Sequence, residues 1–397
     1  MRIVHLADLH LGFRQYQRLT PAGINQREAD VGLTASRVID RVIELRPDAV
    51  VIGGDVFHSV RPSNSAILHA YRMFSRLRTE LPDAAIVMVA GNHDAPRTND
   101  AGCILRLFRE IGIQVADATA ELFVYPNQDL GVFAVPYMRR NDRPTLLPTS
   151  GMKYNVLLMH GGTEDTLPGY MSPEDRAAIE IPLSELHAEM WSYVALGHYH
   201  VYREVAPHAY YSGATDYTST NPWGERQEER RRGLKGKGFI EQDLDTGEHI
   251  FHVVETERKF VDLEPLQGAG LTAKEIDSAI ASTIANMSTR VDNQVIRLKL
   301  LDVPRHIARE IDQAALRELK ARALNFQLDV SKPEIRAKKE SGGAPGRRQT
   351  LEELVADRLR ERLLPTGVER EQLVTMGLRY LAEAEESVGA ALPVSAE

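Results

Sequence analysis

Five short segments of the sequence carry side chains whose types and spacing suit chemistry. They are Asp8-Leu9-His10, Gly54-Asp55, Gly91-Asn92-His93-Asp94, Met159-His160-Gly161-Gly162 and Gly197-His198-Tyr199-His200. Each segment follows an apolar run that is typical of a buried strand. Because side chains at the carboxyl ends of neighbouring strands converge on one crevice, we expect these polar residues to share a single site.

The mixture of side chains predicts a metal site. Carboxylate and imidazole groups without thiolate suit manganese, iron or zinc better than calcium or a structural zinc ion. The candidate ligands are Asp8, His10, Asp55, Asn92, His160, His198 and His200. Seven ligands exceed what one tetrahedral ion needs, and they suffice for two ions if one carboxylate bridges. Two ions roughly 3.5–4 Å apart form the clamp used for in-line displacement at phosphorus. The alternative, a set of hydrogen-bonded polar residues in turns, would bury many polar groups at considerable cost.

Composition limits the class of protein. The chain has 397 residues, of which 43% are hydrophobic and 26% charged, so two or three domains with a sizeable core are expected. A net charge of −8 argues mildly against a protein that coats DNA, although it leaves room for an enzyme with local positive charge. No apolar run approaches the ~18 residues of a membrane span. The single cysteine, and a strand-like segment that follows Met1 directly, lead us to expect a cytoplasmic protein without a signal peptide.

The pattern of elements predicts four regions. Residues 1–257 alternate strands and helices and then become rich in strands, which indicates an α/β domain with two sheets. Residues 258–335 read as a smaller α/β unit, in which 304–322 is predicted to be one helix. Residues 336–348 are Gly-rich and basic, as in a linker. Residues 349–390 read as a helical hairpin, with capping-box spacing at Thr350/Glu353 and at Thr366/Glu369.

The motifs resemble those of the calcineurin-like metallophosphoesterases, and within them most closely the SbcD-type DNA nucleases that work with an SMC-like ATPase on double-strand breaks. The resemblance rests on Asp8-Leu9-His10-Leu11-Gly12, Gly54-Asp55-Val56-Phe57-His58, Arg61-Pro62-Ser63, Gly91-Asn92-His93-Asp94, Met159-His160-Gly161 and Leu196-Gly197-His198-Tyr199-His200. It covers residues 1–257 well, is weaker over 258–335, and in the tail is one of pattern only. It implies a sandwich of two mixed sheets flanked by helices, a small α/β cap that selects DNA, and a C-terminal hairpin that binds the ATPase.

The resemblance also implies a role for each residue of the site. One metal ion would be held by Asp8, His10, Asp55 and His200, and the other by Asp55, Asn92, His160 and His198, with Asp55 bridging. Mn²⁺ is the expected ion. His93 is surplus to the ligand count, and a protonated imidazole is a natural donor to a leaving sugar oxygen. The neighbouring Asp94 either orients that ring or caps a turn.

His58 departs from one branch of the family. Many bacterial members have aspartate at this position, whereas archaeal and eukaryotic members have histidine. His58 either contacts the phosphate or supports the metal ligands from outside, as partners of metal ligands often do. The alternative is a hydrogen-bonded loop histidine.

A run of basic residues over 226–237 has two interpretations. Its cationic residues are Arg226, Arg230, Arg231, Arg232, Lys235 and Lys237, mixed with two glutamates. Such a run is usually a solvated loop, but Arg230, Arg231, Arg232, Lys235 and Lys237 are also candidates for contact with a DNA backbone. The basic residues that border the linker have the same two interpretations.

The predicted function is metal-dependent hydrolysis of DNA phosphodiesters, as an exonuclease or endonuclease. DNA and an SMC-like ATPase are the expected partners, and the resemblance implies a homodimer through core helices, with 65–81 as a candidate. One alternative is a phosphomonoesterase or cyclic-nucleotide phosphodiesterase of the same superfamily. Another is a scaffold for the ATPase, which would have no need of a complete ligand set.

Overall fold

The computed structural model describes residues 1–96, 102–138, 140–163, 181–333, 350–361 and 369–389. The chain divides into two compact units, Met1–Pro333 and Glu334–Glu397. Across the described residues, no helix combines the length and the apolar composition that crossing a bilayer requires.

The first sheet of the larger unit has four parallel strands and two antiparallel ones. Its strands are β1 (Arg2–Leu6), β2 (Ala49–Ile52), β3 (Ala85–Val89), β4 (Gln114–Ala116), β11 (Gly238–Asp243) and β12 (His249–Val253). They lie in the order β12-β11-β1-β2-β3-β4, with β1 to β4 parallel and β11 antiparallel to both of its neighbours.

The second sheet is also mixed. Its strands are β5 (Glu121–Tyr125), β6 (Leu130–Val135), β7 (Tyr154–His160), β8 (Tyr193–Gly197), β9 (Arg203–Ala206) and β10 (Ala209–Tyr211). The order is β5-β6-β7-β8-β10-β9, in which the four inner strands are parallel and the two edge strands antiparallel.

The two sheets pack face to face, and helices cover the first sheet on its other side. Successive strand residues point to opposite faces, so Val51 joins the core between the sheets while Val50 and Ile52 face the helices. These helices are α1 (Gln26–Leu45) and α2 (Asn64–Glu80). The Ser63 side chain accepts from Ala66 N at 3.2 Å and caps α2. The predicted sandwich of two mixed sheets flanked by helices is confirmed.

One helix of the larger unit was missed from the sequence. Residues 226–231, predicted to lie in a loop, belong to α3 (Pro222–Arg231). The Asn221 side chain caps this helix and Pro222 occupies its first turn, where a missing backbone N–H costs nothing. The charges on α3 are therefore displayed at helical spacing.

A third sheet follows along the chain. Its strands are β13 (Phe260–Asp262), β14 (Leu266–Gln267), β15 (Val295–Leu301) and β16 (Asn325–Val330), all paired in parallel through β15. Helices α4 (Ala273–Ala285), α5 (Arg305–Glu310) and α6 (Gln313–Arg322) accompany it and share an apolar core with it. The prediction of one helix over 304–322 is wrong. The backbone at Ile311 is extended, and the Asp312 side chain caps a new helix by accepting from Ala314 N and Ala315 N.

The smaller unit contains helices α7 (Leu351–Glu361) and α8 (Arg370–Gly389). The predicted capping box at the start of α7 is confirmed, since Thr350 N donates to Glu353 Oε2 at 3.0 Å and Glu353 N donates to Thr350 Oγ1 at 3.2 Å. The two helices pack closely, because a Cβ on Gly377 would lie 2.3 Å from Leu359 Cδ1. The predicted linker over 336–348 and the second capping box at Thr366 lie outside the described residues.

Candidate metal centre

The seven candidate ligands lie at the carboxyl ends of strands in both sheets of the sandwich. Asp8 and His10 follow β1, Asp55 follows β2, Asn92 follows β3, His160 ends β7, and His198 and His200 follow β8. Parallel strands bring their carboxyl ends to the same edge of each sheet, which is why residues up to 190 positions apart meet here.

The backbone at this edge adopts conformations that are costly for residues other than glycine. Asp8, His10, Asp55 and His198 all have positive φ, of 53°, 45°, 49° and 109°. Hydrogen bonds between neighbouring segments hold the turns, including Asp8 N to Gly54 O at 3.0 Å and His10 N to Asp55 O at 2.9 Å. Four strained ligands in one crevice are typical of a functional site.

Two buried carboxylates form the centre of the cluster. Asp8 accepts from His198 N at 3.0 and 3.1 Å, and Asp55 Oδ1 accepts from His93 N at 2.9 Å. The other oxygen, Asp55 Oδ2, lies 3.7 Å from His10 Nε2 and 3.6 Å from His160 Nε2. Gly91 makes room for this carboxylate, because a Cβ there would lie 2.1 Å from Asp55 Oδ1. Asp55 thus approaches one histidine that follows β1 and one that ends β7.

The remaining candidate ligands form two groups beside Asp55, and Asp8 lies close to both, because it also clusters with Asp55 and His160. In the first group, His10 Nε2 and His200 Nε2 lie 3.0 Å apart, and both belong with Asp8 to a cluster that could hold a metal ion. In the second group, Asn92 Oδ1 lies 3.0 Å from His160 Nε2 and 3.2 Å from His198 Nδ1.

Hydrogen bonds on the side away from the crevice orient two of the histidine rings. His160 Nδ1 donates to Gly53 O at 2.7 Å, and His200 Nδ1 donates to Glu225 Oε1 at 3.3 Å. In each ring the Nε2 atom therefore keeps a lone pair that points into the crevice, as in a metal-ligating histidine. Buried oxygen and nitrogen donors with fixed orientation fit divalent metal ions well.

Burial shifts the pKa of two of these candidate ligands. Burial, reinforced by nearby imidazoles, holds the pKa of His10 well below its usual value, so the ring is neutral and free to bind a cation. Burial also raises the pKa of Asp8 to about 6, although neighbouring histidines oppose the shift. A divalent cation in the crevice would favour the ionised carboxylate.

His93 and His58 lie beside the first group of ligands. His93 Nδ1 donates to His58 O at 2.8 Å, and the two rings are stacked with centroids 5.2 Å apart. His58 Nδ1 also lies 3.4 Å from His10 Nδ1. Asp94 accepts from Val56 N, Phe57 N and Gly91 N instead of touching the His93 ring. Of the two roles predicted for Asp94, these contacts support the capping of a turn.

Comparison with known proteins decides the family. Residues 1–228, more than half of the chain, match the model of the calcineurin-like phosphoesterases. The chain belongs to this family.

Several relatives of this calcineurin-like phosphoesterase carry the name DNA double-strand break repair protein Mre11. The protein from Methanocaldococcus jannaschii is 26% identical over 255 residues, which are 62% of this chain and 63% of that protein. The one from Sulfurisphaera tokodaii is 30% identical over 213 residues, 51% of this chain and 49% of that protein. The one from Methanosarcina acetivorans is 25% identical over 362 residues, 82% and 56% respectively. The chain thus spans less than two thirds of each of these relatives.

The basic residues that are candidates for contact with DNA differ in solvent exposure in this phosphoesterase. Arg230 and Arg231 are 61% and 67% exposed on α3, and Arg232 and Lys235 lie just beyond its end. Lys237 is only 2% exposed, and its ammonium lies against the carboxylates of Glu225 and Glu229. The prediction that Lys237 contacts DNA is wrong, because a buried and paired ammonium cannot reach a phosphate.

Sequence reasoning missed Glu225. This buried carboxylate contacts both His200 and Lys237. Burial alone would raise the pKa of Glu225, but the Lys237 ammonium and the His200 ring lower it to about 2, so the side chain is ionised. The helix start at Asn221-Pro222 was the available indication that Glu225 and Glu229 lie on one face.

Proposed function

We propose that this phosphoesterase is a two-metal DNA nuclease that hydrolyses phosphodiester bonds as an exonuclease or endonuclease. The observation that carries the proposal is the position of Asp55 Oδ2 within 3.7 Å of His10 Nε2 and 3.6 Å of His160 Nε2, two histidines that fall in different clusters of possible metal ligands. A single ion would need only one of these groups, whereas two ions that share Asp55 use both.

Each group of ligands has a defined role. Asp8, His10, Asp55 and His200 would hold one ion, and Asp55, Asn92, His160 and His198 would hold the other. Mn²⁺ is the expected ion, because the set is rich in imidazole and carboxylate and lacks thiolate. When bound, the pair of ions activates the attacking water and stabilises the charge that develops at phosphorus.

Proton transfer to the leaving oxygen falls to His93. Its Nδ1 atom is tied to His58 O, so Nε2 is the ring atom left for exchange with substrate. His58 supports the site from outside the ligand set, through its contacts with the rings of His10 and His93.

DNA is the substrate that this proposal favours. The relatives named as DNA double-strand break repair proteins support it, and so does the α/β unit over 258–335, proposed as the cap that restricts access to the ions. Arg230, Arg231, Arg232 and Lys235 offer surface cations for the DNA backbone. The runner-up is hydrolysis of a phosphomonoester or a cyclic nucleotide.

A pair of small substrates tests the class of ester. The enzyme loaded with Mn²⁺ is expected to hydrolyse bis(p-nitrophenyl) phosphate in preference to p-nitrophenyl phosphate, measured as kcat/KM from p-nitrophenolate release. Chelator should abolish both activities, and added Mn²⁺ should restore them best. Both substrates release the same chromophore, so the comparison isolates the extra ester. A strong preference for the monoester would move the function to the runner-up.

The expected assembly contains DNA, an SMC-like ATPase and a second copy of this chain, in the cytoplasm. Helix α2 is the proposed dimer contact, and Leu68 on it is 54% exposed. The tail is the proposed site for the coiled coil of the ATPase. Its packed helices still expose Leu351, Leu354, Met376 and Tyr380, an apolar set suited to a partner helix.

Removal of the tail tests the proposed partner site. A chain cut near Gly343 is expected to remain a folded, Mn²⁺-dependent nuclease, because residues 1–333 form a compact unit of their own. It should no longer co-purify with the ATPase. Leu354→Glu in the full chain is the milder version, since it places a charge on the exposed apolar set. Co-elution of the truncated chain with the ATPase at full affinity would contradict the proposal that the tail binds the ATPase.

A further inference from the structure

Helix α3 connects a metal ligand with the third sheet through side chains only two positions apart. Trp223 is buried, and its Nε1–H donates to Gln327 Oε1 on β16 at 2.9 Å. The Arg297 guanidinium of β15 lies 4.8 Å from the centre of the Trp223 ring. Glu225 lies further along the same helix and contacts His200. One short helix is therefore anchored on the third sheet and reaches the proposed ion site.

Glu225 belongs to a closed set of contacts around His200. Its Oε1 accepts from His200 Nδ1 at 3.3 Å, and its Oε2 accepts from Lys237 Nζ. Lys237 Nζ also donates to the backbone carbonyl of His200 at 2.8 Å. Ring and backbone of His200 are thus fixed by two residues that are themselves ion-paired, and Nε2 is turned toward His10.

Lys237 has a second carboxylate partner that does not touch the site. Glu229 Oε1 lies 3.2 Å from Lys237 Nζ, and Glu229 Oε2 accepts from Tyr217 Oη at 2.7 Å. Glu225 and Glu229 are one helical turn apart, both are buried, and both pair with the same ammonium. Only Glu225 reaches His200, so the chain supplies its own matched control.

We propose that Glu225, held in place by Lys237 and by the docking of α3 on the third sheet, is a positioning residue that orients His200 for one of the two ions. A carboxylate behind a histidine fixes the ring and makes the facing nitrogen a stronger donor. The third sheet then contributes to the ion site through Trp223. This inference rests on the two-metal function proposed above.

The test compares two identical substitutions in the full chain. Metal-free wild type, Glu225→Gln and Glu229→Gln are titrated with Mn²⁺ by calorimetry, and Mn²⁺ electron paramagnetic resonance reports whether ions are coupled in pairs or single. Glu225→Gln is expected to lower the affinity for one of the two ions by roughly 10–100-fold, the usual range when a hydrogen-bond partner of a metal ligand is lost. It should also give the spectrum of a single ion at intermediate Mn²⁺ concentrations. Glu229→Gln should bind two ions as the wild type does.

A double variant separates positioning from simple charge balance. Glu225→Gln leaves Lys237 with one carboxylate fewer, and an imbalance of buried charge can itself disturb folding. Glu225→Gln/Lys237→Met removes both charges. If Glu225 served only to balance charge, the affinity for that ion should recover in this double variant. A positioning role predicts that the loss of affinity persists in a metal-free chain that thermal unfolding shows to be folded. Trp223→Phe, which keeps an aromatic ring but loses the indole N–H that donates to Gln327, is expected to weaken the binding of the same ion by about 2- to 30-fold.

The outcomes distinguish this inference from the proposed function. If wild type binds fewer than two Mn²⁺ ions, the two-metal function fails and the inference fails with it. If wild type binds two ions and Glu225→Gln binds both with unchanged affinity, only the inference is overturned. The inference would also be overturned if Glu225→Gln and Glu229→Gln lost Mn²⁺ affinity equally, or if the affinity recovered in the double variant.

Discussion

Asp55→Ala is expected to remove both metal ions and to lower DNA cleavage by roughly 10³-fold or more, since several kcal/mol of transition-state stabilisation is lost with the ions and each 1.4 kcal/mol is a factor of ten. The reason is the position of Asp55 Oδ2, within 3.7 Å of His10 Nε2 and 3.6 Å of His160 Nε2. Asp8 also lies in a cluster with Asp55 and His160, but the proposed ligand sets assign it to one ion only. Metal content per chain, measured by elemental analysis after gel filtration, checks the prediction.

Asp8→Ala is the matched control for this experiment. Asp8 is as deeply buried as Asp55 but is proposed as a ligand of one ion only, so its loss is expected to release that ion and to leave the other in place. Asp55→Asn guards against a folding defect, because it keeps the volume and the acceptor for His93 N while it removes the charge. Two tightly bound ions in Asp55→Ala would show that the bridging assignment is wrong.

The convergence of the seven candidate ligands on one crevice is the feature of the site that sequence alone predicts best. An apolar run followed directly by Asp, Asn or His places each side chain at the end of a strand, and parallel pairing then brings the ends together. How the rings face one another depends on contacts between distant segments. The approach of His10 Nε2 to His200 Nε2 spans 190 positions, and the stack of His93 on His58 spans 35. Local pattern carries no information on such distances.

The basic run over 226–237 shows where sequence reasoning fails. Charged residues in a row are usually solvated, and α3 has no apolar stripe to mark it as a helix. Its buried residues include Trp223, Glu225 and Glu229 instead, and the two carboxylates pair with Lys237. Lys237 pairs with Glu225 and Glu229 only in the folded chain. Local sequence does not show this pairing, so the sequence suggests that Lys237 is a surface cation.

Helix boundaries depend on capping residues that were visible but not used. Asp312 accepts from two backbone amides and begins α6, and this divides the stretch that periodicity alone predicted as one helix. The sequence offers Ser63 or Asn64 as the cap of α2, and the structure shows that Ser63 is the one that caps it. Thr350 and Glu353 were read correctly in the same way. Caps give reliable local information, and they fail only when periodicity is allowed to override them.

His93→Gln is expected to keep both ions and DNA binding while it lowers the rate of DNA cleavage by roughly 10²–10⁴-fold, the range for one general acid. The contact of His93 with Asp55 is made by the backbone N–H, which the substitution leaves in place. The ring itself contacts His58 O, and no proposed role requires it as a ligand. Single-turnover cleavage at saturating enzyme, with metal content measured on the same sample, checks both parts. His306→Gln on the exposed surface of α5 controls for the change of residue type.

The leaving group distinguishes proton donation by His93 from a purely structural role. A sugar alkoxide is a poor leaving group and needs a proton, whereas p-nitrophenolate is stable and needs little help. His93→Gln should therefore slow DNA cleavage far more than hydrolysis of bis(p-nitrophenyl) phosphate. Equal losses on both substrates would indicate that His93 acts by shaping the site. Loss of an ion in the variant would make His93 a ligand, and the two groups around Asp55 would then have to be redrawn.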